Sequence, residues 1–181
     1  MRAPLAQRAT GIERTFGNDE IIVTKTDTRG LLTYTNEVFL RVSALDEVDA
    51  IGKPHNIIRH PDMPRAIFAL LWETVKNGDE LFAYVVNMAA DGAHYWVLAH
   101  VTPSWSGNSI VGYHSNRRVP SRQAVTKISE IYGRLRAIEL AASSAQQGLA
   151  DSQRAMAEIL EERGETYEQF VWRLTTESEN N

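Results

Sequence analysis

From residue 20 to residue 118 the chain runs in short stretches that mix apolar, often β-branched residues with polar ones, each closed by a turn residue. Beyond Pro120 the apolar spacing changes to threes and fours. In the first part, residues 20–26 and 31–35 read as strands around the turn Asp27-Thr28-Arg29-Gly30, where glycine suits a positive φ. Asn36 is placed to cap a short helix over 37–42, and residues 43–52 predict a further helical turn stopped by glycine. Residues 64–76 form a clearer helix, with Ile67, Phe68, Leu71, Trp72 and Val75 on one face and Gly78 as its stop. Three strands follow, over 81–89, 94–104 and 109–117, divided by Asp91-Gly92 and Ser106-Gly107-Asn108. Two strands, short helices, one longer helix and three strands predict an α+β fold with an antiparallel sheet.

Past Pro120, Ile128, Ile131, Leu135, Ile138, Ala142, Ala145 and Leu149 stand 3, 4, 3, 4, 3 and 4 residues apart. This is a heptad-like stripe with an alanine-rich middle, and Met156 and Ile159 keep its register across the polar Ser152. One helix from about 124 to 160 is expected, then a break at Gly164, a short last helix over 165–174 and a frayed polar end. The stripe can pair with the same helix of a second chain or fold back on the sheet of its own domain. The chain thus divides into an N-terminal segment 1–14, a sheet-bearing domain 15–119, a helical segment 120–176 and a tail 177–181.

Composition narrows the function classes. The 181 residues carry 19 Lys+Arg against 23 Asp+Glu, a net charge of −4, which argues against a nucleic-acid binder. At 43% hydrophobic and 23% charged the chain is of the ordinary globular kind. It has no cysteine, which removes disulfides, thiolate metal sites, cysteine nucleophiles and cysteinyl–cofactor bonds. No apolar run suits a secretory signal or a membrane span, so a soluble cytoplasmic protein is expected.

The densest chemistry lies in His55-Asn-Ile-Ile-Arg-His-Pro-Asp-Met-Pro64, just before the longer helix. Its two prolines stiffen a loop bearing two imidazoles, a guanidinium and a carboxylate. Arg59 suits bidentate contact with phosphate. The same residues equally make a capping loop, with Asp62 as cap and Arg59 in a surface ion pair. His94 and His100 share a strand face, and His114 lies on the next strand. Three imidazoles suit zinc or iron, and one suits haem, but six residues along a strand span about 20 Å, too far for one ion. No hydrolase or P-loop motif is present. Asn87, inside a strand, offers a donor and an acceptor to a heterocycle edge, or simply faces outward.

Three segments resemble the flavin-binding PAS domains of Aer/CetB-type energy-taxis (aerotaxis) sensors. They are Thr33-Tyr34-Thr35-Asn36, then Gly52-Lys-Pro-His-Asn-Ile-Ile-Arg-His-Pro-Asp-Met-Pro64 with Trp72, and Asp91-Gly92-Ala93-His94-Tyr95-Trp96-Val97. The likeness covers roughly residues 15–120. It implies a five-stranded antiparallel sheet with short helices enclosing a pocket on one face, and in that pocket a non-covalent FAD. The family's cofactor positions fall on Asn36, His55, Arg59, His60, Asp62, Trp72 and Asn87. Arg59 and His60 suit the pyrophosphate, Trp72 packs on a ring or in the core, and Asn36 or Asn87 reads polar flavin edges. A tryptophan common in the family after the long helix is Leu81 here, followed by Phe82. The family's membrane anchor, HAMP segment and methyl-accepting domain have no counterpart in these residues. The resemblance therefore implies a free-standing redox sensor without catalytic turnover that signals through a separate chemoreceptor-type or other signalling partner, and the heptad-like stripe adds a homodimer through the C-terminal helix as an expectation. A haem-binding or ligand-free PAS module serving dimerisation is the alternative. Without cysteine, a LOV-type cysteinyl–flavin adduct cannot form.

Overall fold

The computed structural model describes residues 9–179. Residues 1–8 of the N-terminal segment and 180–181 of the tail lie outside the described residues. The sheet contains β1 (Ile22–Thr26), β2 (Leu32–Thr35), β3 (Leu81–Met88), β4 (His94–Ser106) and β5 (Ser109–Arg118). Its order is β2-β1-β5-β4-β3 and all neighbours are antiparallel. Between β2 and β3 run α1 (Glu37–Ser43), α2 (Glu47–Ala50), a 3-10 turn (His55–Ile58) and α3 (Arg65–Lys76). Every strand and helix expected in this half is present, with ends moved by one to four residues. The five-stranded antiparallel PAS arrangement is therefore the observed fold. Gly30 turns the first hairpin with φ +80°, a backbone that side chains oppose.

Alternation along the strands gives the sheet two working faces. Val85 and Asn87 of β3, Ala99 and Val101 of β4, Tyr113, Ser115 and Arg117 of β5, and Thr24 and Thr26 of β1 face α3 and the 3-10 turn. Phe82, Tyr84 and Trp96 point the opposite way, toward the C-terminal helices. Residues 10–14 bond to the turn between β3 and β4 and to the start of β4, through Thr10 N to Gly92 O and Arg14 N to His94 O.

The helical segment departs from expectation. One helix from 124 to 160 is instead two, α4 (Arg122–Ala141) and α5 (Ala145–Arg163), followed by α6 (Tyr167–Glu179). Ser144 causes the break: its hydroxyl accepts from Gln147 N and caps a new helix. The alanines on either side bury too little to hold the helix straight through. The buried face of α5 is Gly148, Ser152, Met156 and Ile159: Met156 and Ile159 keep the expected register, whereas Ala145 is exposed and Leu149 half-buried. Ser152, which interrupts the pattern in the sequence, is fully buried. Gly148 allows the close approach of the two helices, since a Cβ there would stand 2.8 Å from the Glu139 carbonyl oxygen. Residues 175–179, expected to fray, continue α6.

The stripe folds back. Ile128 and Leu135 of α4 are fully buried within the chain, and Tyr132 donates from Oη to Tyr84 O at 2.7 Å while its ring stacks near Trp96. α6 adds Thr175 beside Tyr84 Oη at 2.8 Å and Trp172 against Phe82. Of the stripe, Ile128, Ile131, Leu135, Met156 and Ile159 are buried within this chain, whereas Ile138, Ala142 and Leu149 are half-buried and Ala145 is exposed. Among the described residues no helix is long and apolar enough to cross a membrane.

Candidate functional site

Between the sheet and α3 lies a cavity of about 380 Å³. That volume falls within the roughly 300–1,000 Å³ typical of small-molecule sites. The helix side supplies Phe68, Leu71 and Trp72, and the 3-10 turn and the residue after it supply His55 and Arg59. The sheet supplies Thr24, Asn87, Ser115 and Arg117 among smaller apolar residues. The wall includes three arginines and no carboxylate, in a chain whose net charge is −4. Arg29, at the rim, is already paired with Asp27.

Arg117 is the unusual group. It is 3% exposed and has no carboxylate partner among the described residues. Its Nη2 donates to Thr24 Oγ1 at 2.8 Å and bonds His55 Nε2, while Nη1 is buried without a partner. Burial pushes the guanidinium down to about 10, which still leaves it charged at neutral pH. His55 is half-buried, and its imidazole is held well below the usual range, by desolvation of the ring first and Arg117 second. Neutral, it accepts from the guanidinium at Nε2 and so keeps its proton at Nδ1. Asn87 is 3% exposed, and its Nδ2 is buried with no acceptor. Ser115 Oγ and Thr26 Oγ1 are orphaned likewise. Four buried polar groups on one wall are therefore unmatched, each at a cost of about 1–3 kcal/mol unless a ligand meets it.

At the wall opposite the sheet, Arg59 stacks over the Phe68 ring at 4.7 Å and forms no salt bridge among the described residues. A backbone bridge joins Arg59 to Asn87, closing the loop onto β3. Trp72 stands edge-on to Tyr113 with ring centres 5.3 Å apart.

Four of the seven expected residues, His55, Arg59, Trp72 and Asn87, meet at this cavity. Asn36, His60 and Asp62 do not line it. Asn36 caps α1 by accepting from Phe39 N at 3.0 Å, and ties in β1 through Val23 N and Ile21 O. His60 is buried edge-on to His94, with Nδ1 accepting from Asp62 N at 3.2 Å. The Asp62 side chain is 81% exposed. These three build the loop and helix starts around the site rather than its wall. Arg117, Thr24 and Ser115 escaped the sequence reading. Their one signal is inward position on strands that also carry apolar inward residues, legible only once the register is known. Phe82 does not replace the family's tryptophan, because it faces away and stacks on His100 at 4.1 Å. His94 packs edge-on to His60 and His100 stacks on Phe82, while His114 Nε2 has no hydrogen-bond partner among the described residues. His100 pairs with Glu80, and no metal-binding group of three His, Asp or Glu exists among the described residues.

Comparisons with known proteins agree with this architecture. The family described as the PAS fold matches residues 32–114. The chain is 35% identical to the aerotaxis receptor of Escherichia coli K12 over 122 residues, 67% of this chain and 24% of that protein. It is 25% identical to the nitrogen fixation regulatory protein of Klebsiella pneumoniae over 83 residues, 46% of this chain and 17% of that one. The chain thus spans about a quarter or less of the length of these relatives. Among solved structures, the dark state of the Aureochrome1 LOV photoreceptor superposes with a TM-score of 0.52 at 19% identity, covering 65% of this chain and 86% of that one. The PAS domain of a Colwellia psychrerythraea protein does so with 0.51 at 21% identity, covering 55% and 85%. Sequence match and fold point the same way: this chain contains a domain of the PAS family, matched over residues 32–114.

Proposed function

We propose that this chain is a redox sensor that holds FAD non-covalently in the cavity, without catalytic turnover, and passes the flavin's state to a separate signalling protein. The observation that carries this reading is Arg117: a buried guanidinium facing the cavity with no counter-charge. It calls for an electron-rich or anionic ligand edge, and the Asn87 and Ser115 groups beside it call for hydrogen-bonding partners. The likeness to the aerotaxis receptor supports a flavin. Arg117, Thr24 and Asn87 would hold the polar ring edge, Trp72 and Leu71 its apolar surface, and Arg59 the phosphates nearer solvent. Bound flavin supplies reversible electron uptake, which alters the charge and protonation of its ring. Asn87 and Arg117 sit on strands whose neighbours support the C-terminal helices, so their rearrangement reaches α4 through Tyr84 and Tyr132. With no cysteine in the sequence, a cysteinyl–flavin adduct is not available as the signal.

One observation favours a second ligand. His114 Nε2 is buried and unpartnered, as a haem ligand would be before binding. The absorption spectrum of the purified protein, followed by denaturation and chromatography of the released chromophore, separates the two. A flavin spectrum and released FAD are expected. A Soret band would replace the flavin reading with haem, and colourless protein that takes up no added FAD would overturn both.

A further inference from the structure

α3 begins without a cap of its own. Pro64 precedes it, with no side-chain acceptor, and its first turn has no acidic residue. Its free N–H groups are met from 74 residues away. Glu139 of α4, 5% exposed, accepts through Oε1 from Arg65 N at 2.6 Å and from Ala66 N at 3.2 Å. Its Oε2 takes Arg136 Nη1 at 3.0 Å, and Arg136 Nε donates to Pro61 O at 2.7 Å. One turn of α4 therefore grips both ends of the segment 61–66. That segment follows Arg59 closely and opens the helix that brings Phe68, Leu71 and Trp72 to the cavity.

We propose that Glu139, assisted by Arg136, is a positioning residue of the ligand site: it sets the 59–66 segment from α4, so that cavity occupancy and the docking of α4 bias each other. This rests on the flavin reading for the identity of the occupant. The physical ground is that a helix start lacking a local acceptor and shielded from water, as Ala66 is here, depends on its distant acceptor to satisfy its N–H groups. The bond pair is made with α4 docked and lost with α4 displaced, which gives the segment two states. Any ligand preferring the ordered loop must then favour docked α4 by the same factor. The sheet-face contact through Tyr132 reports on β3, whereas this contact reaches the opposite, helix-bearing wall. α4 thus touches both walls of the cavity's frame.

The test compares wild type, Glu139→Ala, Glu139→Gln and Glu165→Ala in the full chain. The last removes an ion pair to Arg173 in the C-terminal cap and controls for general loosening of the helices. Flavin is stripped and FAD re-titrated by fluorescence quenching, and amide hydrogen exchange is followed at residues 61–66 with and without FAD. Glu139→Ala is expected to weaken FAD at least fivefold and to speed exchange at the start of α3 at least tenfold. Glu139→Gln, which keeps an acceptor oxygen, should stay within threefold of wild type, as should Glu165→Ala. FAD should slow exchange in α4 of wild type but not of Glu139→Ala. If Glu139→Ala fails to fold, Arg136→Ala, which cuts only the Pro61 tether and the ion pair, takes its place with an expected loss of at least twofold. Wild type that binds FAD while Glu139→Ala or Arg136→Ala binds it equally well would overturn the proposal alone. Wild type that binds no FAD would overturn the flavin reading and this proposal with it.

Discussion

Replacing Arg117 by methionine should make the ligand-free protein more stable and the sensor worse. In the free protein the guanidinium is buried, has two neutral acceptors and lacks a counter-charge. Its displacement from 12.5 to about 10 is 2.5 units. At ~1.36 kcal/mol per unit this amounts to about 3 kcal/mol of unfavourable charge burial. Losing the bonds to Thr24 and His55 returns about 1–2 kcal/mol of that. The net gain is about 1–2 kcal/mol, and methionine leaves no new void in the packed core because the lost atoms face an existing cavity. In a domain of this size that corresponds to a rise of about 2–8 °C in Tm. Binding should move the other way. A hydrogen bond from a charged donor contributes about 1.5–3 kcal/mol, so FAD should bind roughly 10- to 100-fold more weakly. Urea unfolding of the stripped protein and fluorescence titration with FAD measure the two halves separately. An Arg117→Met variant that is less stable when ligand-free, or that binds FAD within threefold of wild type, would refute the account of Arg117 as an uncompensated charge awaiting its ligand.

His55 gives a pH signature. Its folded value lies well below 6.5, so below pH 6.5 the unfolded chain binds a proton that the folded chain refuses, and stability falls with acid. Between about pH 7.5 and 5.5 His55→Gln should lose about 1 kcal/mol less than wild type in urea titrations, and equal losses would contradict a desolvated neutral imidazole. Asn36→Ala should cost about 1–2 kcal/mol through the lost cap of α1 while leaving FAD affinity within twofold. A tenfold loss of affinity would return Asn36 to the binding wall. Leu135→Ala should cost about 2–5 kcal/mol as a cavity in the chain's own core. Light scattering should show the same mass for wild type and variant, and a dimer that dissociates only in the variant would put the stripe between chains.

The strands and α3 were legible because their signals are local. Alternation, β-branching and Asn-, Asp- and Gly-bearing turns act within a few residues, and Asn36 caps α1 as its position implies. The end of β5 before Pro120 and the stop of α5 at Gly164 are legible for the same reason. The break at Ser144 was also written locally, in the capping pattern Ser144-Ala-Gln-Gln147, but the continuous stripe of threes and fours masked it. The composition of the loop 55–64 marked the neighbourhood of the site, though of its charged and imidazole side chains only His55 and Arg59 reach the wall.

By itself, then, the sequence determined the elements up to residue 118, their order, the PAS architecture and, through the missing cysteine, the exclusion of thiol chemistry. Tertiary structure alone decided which polar groups share a space. Arg117 meets His55 only because β5 pairs with β1 in a register that puts both beside Thr24. It also decided what the helical stripe covers, since an apolar helix face carries no mark of whether its partner is another chain or its own sheet. Glu139 capping α3 belongs to the same class. Helix spacing specifies a face, whereas the groups that complete a buried charge or a helix end are set by contacts between residues far apart in the chain.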